Sequence, residues 1–101
     1  MTLDDVAAAL RAAGAELGTA GAALAELDPG PHAFGVDASG NLGELGRALH
    51  AACASALIAR SREATALGAR LSDSAYLVQA VAAGYRDAEQ AAHRRHGAQE
   101  A

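Results

Sequence analysis

Residues 3–27 read LDDVAAALRAAGAELGTAGAALAEL. Within them Leu3, Val6, Leu10, Ala13, Leu17, Ala20, Leu24 and Leu27 recur at alternating spacings of three and four. That rhythm puts them on one stripe of an α-helix and sustains a heptad seam along the whole segment. Thr2 precedes the stripe and Asp5 follows it by three, a variant of the capping box. Asp4 and Asp5 also suit the positive end of the helix dipole. Asp28-Pro29-Gly30-Pro31 stops the helix. A first helix is therefore expected over about residues 3–27. A loop is expected over about 28–40, with both prolines of the chain and three glycines in it. Phe34, the one phenylalanine, lies in this loop before Gly35. A large aromatic in a polar turn is expected to fold back onto the helix ends.

Beyond the loop, Asn41 with Glu44 three residues on is a capping pair. No proline follows, and a long helix is expected over about 41–95, with a flexible tail from about 96. Leu42, Leu45, Leu49, Ala52 and Ala56 make one seam. Leu57, Ala64, Leu67, Leu71, Ser74, Val78, Val81, Tyr85 and Ala88 make a second, with Arg60 in the gap. The phase slips around 53–60, which predicts a stutter or slight bend. A break near 68–74 would turn the remainder into a third helix. The fold class is all-α: one antiparallel helical hairpin over residues 1–101. At about 1.5 Å per residue the first helix spans roughly 37 Å and the second up to about 80 Å. On that arithmetic the first helix pairs with the first half of the second. Leu67, Leu71, Val78 and Val81 then lack an internal cover and are expected to face a partner.

Composition narrows the function classes. Of 101 residues, 51 % are hydrophobic, but 30 are alanine. So few large side chains do not build a compact enzyme around a deep pocket. Ser55, Ser61, Ser72 and Ser74 sit inside the helical pattern with no general base near them in sequence. No Gly-rich phosphate loop follows a strand. Neither catalysis nor a cofactor is expected. A net charge of −4 and 3 % aromatics argue against a nucleic-acid partner. The longest charge-free stretches, Ala48 to Ala59 and Ser74 to Tyr85, are 12 residues each. A membrane span needs roughly 20. The acidic N-terminus lacks the pattern of a signal peptide.

Charge is unevenly spread. Residues 1–44 carry seven acids and one Arg, and residues 45–101 carry five acids and seven Arg. This favours an acidic first helix beside a more basic second one, though each exposed pair is worth only about 0–1 kcal/mol. Gly14, Gly18 and Gly21 share a flank of the first helix, where each costs about 1 kcal/mol relative to alanine. Close helix approach and compositional drift account for them equally well. Cys53, among Ala51, Ala52, Ala54 and Ala56, reads as a buried small hydrophobe. Glu89, His93 and His96 have helical spacings that zinc could use. Arg94 and Arg95 lie between them, and an Arg/His cluster at a helix end is the simpler reading. No metal is assigned.

The stretch Tyr85-Arg86-Asp87-Ala88-Glu89 places Tyr85 and Glu89 one turn apart on one helix face. Joined to a helix–turn–helix chain of this size, it resembles the small substrates of the actinobacterial type VII (ESX) secretion system. Among them it is most similar to the EspC-like excreted virulence factor family. The resemblance covers about residues 3–90. It rests on the Ala/Leu-rich first helix, the Phe34-Gly35 turn and the second helix reaching Tyr85. It implies that Tyr85 and Glu89 form a Tyr-x-x-x-Asp/Glu export signal read by the secretion ATPase. It further implies a helical partner, as heterodimer or homodimer, and a secreted or cell-surface destination reached without a signal peptide. The Trp-x-Gly turn of the wider superfamily is missing; Phe34-Gly35 or Asn41-Leu42-Gly43 occupies that region. The alternative is a cytosolic helical adaptor or coiled-coil homodimer, with Tyr85 a seam residue only.

Overall fold

A computed structural model describes residues 1–100. The described chain is an all-α hairpin: α1 (Leu3–Ala25), a 3-10 turn (Pro31–Phe34) and α2 (Asn41–Glu100). The capping box at the start of α1 is formed. The Asp5 N–H donates to Thr2 Oγ1 at 3.1 Å, and the Thr2 N–H donates to Asp5 Oδ2 at 2.9 Å. The helix ends two residues before the expected Leu27. There the Glu26 and Leu27 N–H groups bond to the Ala23 and Leu24 carbonyls in a tightened turn. At the start of α2 the first helical bond runs from the Glu44 N–H to the Gly40 carbonyl. Gly40, at φ +68°, thus takes the cap position expected of Asn41.

The second helix is continuous from Asn41 to Glu100: it does not break near 68–74, and it runs through the phase slip at 53–60 and past residue 96 as helix. The slip marks a change of cover. Up to about His50, α2 packs against the loop; from about Ser61 to about Arg86 it packs against α1. A continuous helix of 60 residues makes a rod, and the molecule measures 92 × 14 × 13 Å.

The register is also corrected. The connection after Leu27 is no tight reverse turn. It runs back along the first turns of α2: His50 Nε2 lies 3.0 Å from Asp28 Oδ1, and Arg47 donates to the Val36 carbonyl at 3.1 Å. Phe34 folds back as expected, its ring centroid 5.5 Å from that of His50. Gly43 and Gly46 are buried beneath this segment, close against the Ala38 and Phe34 carbonyls. The loop therefore occupies the part of α2 that helix length alone assigns to α1. The first helix is displaced to the second half of α2, with Asp4 bonded to Arg86 at 2.7 Å and Gly21 receiving the Ser61 hydroxyl at 2.6 Å.

Small residues make this contact. Ala7, Gly14 and Gly21 are the buried residues of α1, spaced by seven. Across from them Ser61, Gly68, Ala75 and Ala82 are also spaced by seven, the last three buried. A Cβ on Gly14 would lie 2.8 Å from the Gly68 carbonyl oxygen, and one on Gly68 would lie 2.7 Å from that of Gly14. The backbones therefore touch directly, and Gly14 and Gly21 serve close approach. Gly18 does not: a Cβ there meets nothing within 4 Å.

Two carboxylates tie folding to pH. Asp5 is held below its ordinary value of 3.8 by the Thr2 N–H first and the Thr2 hydroxyl second. Asp28 is lowered chiefly by the Gly30 N–H, against a desolvation cost, with His50 adding to the lowering. Each pKa is lower folded than unfolded. The stability they contribute is present above the ordinary value and is lost as pH falls through the lowered one. Melting temperature should hold from about pH 7 to about pH 5 and fall below about pH 4. Replacing both with Asn should flatten that acid limb in thermal melts.

Candidate functional site

The apolar rows lie beside the small-residue contact. Leu10, Leu17 and Leu24 stand three residues after Ala7, Gly14 and Gly21. Ala64, Leu71, Val78 and Tyr85 stand three residues after Ser61, Gly68, Ala75 and Ala82. In an antiparallel helix pair, equal offsets from the contact row fall on the same side of the pair. The two rows thus meet along one edge of the hairpin. Leu10, Leu17, Leu24, Ala64, Leu71 and Val78 are half-buried there. Of the four expected partner-facing residues, Leu71 and Val78 lie against α1, whereas Leu67 and Val81 remain 48 % and 52 % exposed. Leu42, Leu45, Leu49 and Leu77 are exposed as well. The chain presents 7236 Å² of accessible surface. A compact monomer of 10.0 kDa presents about 5,200 Å².

Tyr85 is the last member of its row and shares a groove with Leu3, the first of the α1 row. Thr2, Leu3 and Asp4 at the start of α1, with Ala82, Tyr85, Arg86 and Glu89 from α2, line a shallow groove of about 350 Å³ at the open end of the hairpin. Glu89 continues the contact row by one more step of seven, past the point where α1 begins. It therefore lies off the N-terminal end of α1, where unpaired N–H groups favour a negative charge. Tyr85 is 63 % exposed, and Glu89 is exposed. The Asp4–Arg86 ion pair, itself more than half exposed, fastens the start of α1 beside them. Beyond Glu89, the last α2 residue lining the groove, α2 projects past the start of α1 and runs on to Glu100.

Other expected residues fall elsewhere. Phe34 and Gly35 sit at the opposite end, Gly35 at φ +71° closing the 3-10 turn. Cys53 is half-buried. Glu89, Gln90, His93 and Arg94 line an open face of the projecting helix. Among the described residues, no three His, Cys, Asp or Glu side chains gather to hold a metal. None of the described helices is long and apolar enough to cross a membrane. Reading the sequence for its largest side chains missed the contribution of Leu3, Asp4 and Arg86 to the groove. The signal for it was the step of seven through Ala75, Ala82 and Glu89, which carries one row off the end of α1.

No family model, no curated protein and no solved structure matches the chain.

Proposed function

We propose that this chain is a small substrate or secretion partner of a type VII (ESX) secretion system, working through helix–helix association and not through catalysis. The observation that carries the reading is the placement of Tyr85 and Glu89. They stand exposed, one turn apart, where the paired helices give way to a single projecting helix. A signal must be reachable, and a projecting helix offers it to the secretion ATPase without unfolding the hairpin. The exposed leucines along the rod, and an accessible surface larger than a compact monomer's, support a helical partner, either a different hairpin or a second copy. The destination proposed is the cell surface or the medium. The cytosolic-adaptor reading uses the same leucines but gives Tyr85 and Glu89 no role.

Export separates the two. In an actinobacterial host with an active type VII system, Tyr85→Ala with Glu89→Ala should lower the amount in the medium by roughly tenfold or more, the size expected when a central interface residue is removed. The total amount made and the helix content should be unchanged, since both side chains are exposed. Equal export of the double variant and the parent protein would remove the reading.

A further inference from the structure

We infer that the surface read at Tyr85 and Glu89 is a two-helix surface, completed by Leu3 and the Asp4–Arg86 ion pair of the closed hairpin. It takes a partner-protein segment that offers an apolar side chain beside a basic group. The inference rests on the export reading above and adds to it: the signal is displayed only when α1 is docked.

The geometry of the open end carries it. Tyr85 does not project alone from a bare helix. It closes an interhelical row and shares one groove with Leu3, Asp4, Arg86 and Glu89. Leu3 is 40 % exposed and Tyr85 63 % exposed, so both offer apolar area to an incoming side chain. The charges sort themselves. Asp4 is matched by Arg86 at 2.7 Å, while among the described residues nothing pairs with Glu89. The groove thus presents one unmatched carboxylate next to an apolar floor, which an arginine or lysine with an apolar neighbour complements. The capping box at Thr2 and Asp5 fixes the first turn of α1, which holds Leu3 in place. If α1 undocks, Leu3 and Asp4 leave and Tyr85 is left on an unpaired helix with neither floor nor frame.

Export of the full chain from the same host, read beside thermal melts of each purified variant, tests this. Leu3→Glu should cut export roughly tenfold while keeping the parent's melting temperature, since Leu3 lies outside the buried contact. Asp4→Arg and Arg86→Asp should each lower export several-fold, and the double exchange Asp4→Arg/Arg86→Asp should restore it. If Leu3→Glu destabilises the hairpin, the charge exchange decides: rescue supports the two-helix surface, and single reversals without effect overturn it. Normal export of Leu3→Glu and of both single reversals, with Tyr85→Ala still not exported, would overturn the inference and leave the export reading standing. Normal export of Tyr85→Ala would overturn the export reading itself.

Discussion

Gly68→Val should undock α1 and lower the melting temperature by roughly 12–24 °C, corresponding to about 3 kcal/mol in a domain of this size. The reason lies in what the new side chain meets. Even a Cβ at position 68 would lie 2.7 Å from the Gly14 carbonyl oxygen and 3.3 Å from the Gly18 nitrogen. Both obstacles are backbone, so no rotamer change clears them, and the helices must separate. Separation loses the Ser61–Gly21 hydrogen bond and opens the row from Leu10 to Leu24. Helix content should fall by less than stability does, because α2 keeps its own hydrogen bonds while α1 alone is marginal in water. Glycine content by itself is not the cause. Gly18→Ala, four residues from Gly14, meets open space and should stabilise the hairpin by about 0.5–1 kcal/mol through helix propensity. Opposite signs in thermal melts of Gly14→Ala and Gly18→Ala would show that packing placed one and not the other.

Gly46→Val should free the loop with little effect on α1. A side chain there runs into the Phe34 carbonyl, and the loop must lift off the start of α2. Lifting it also breaks the Arg47–Val36 bond and the Asp28–His50 contact and the packing of Phe34 on His50. If these together hold the loop by about 3 kcal/mol, proteolytic cleavage between 28 and 40 should accelerate roughly 100-fold in the regime where cleavage follows the opened population. Export should be unaffected if the signal lies wholly at the other end.

The sequence disclosed the fold class and concealed the register. The leucines of residues 3–27, the Thr2–Asp5 cap and the Asp28–Pro31 stop are strong local signals, and each specifies its own element. Register is a different quantity, fixed by how much of α2 the loop consumes. Gly43 and Gly46 decide that by admitting the loop backbone against the helix. In a chain of 30 alanines, rows of Ala and Gly spaced by seven do not stand out from the background, and the larger leucines drew the seam one position aside. The same shift explains the site. Tyr85 and Glu89 were legible as a pair of residues, whereas Leu3, Asp4 and Arg86 come to them only once α1 is placed on the second half of α2.

Backbone hydrogen exchange, resolved residue by residue along α2 in the intact protein, tests that placement most directly. Slow exchange should extend from about Leu57 to about Arg86, where α1 covers the helix, and give way to fast exchange from Asp87 onward. The Tyr85–Glu89 turn should straddle the change. Protection of 41–56 by α1, with fast exchange across 67–81, would contradict it and return α1 to the first half of the long helix.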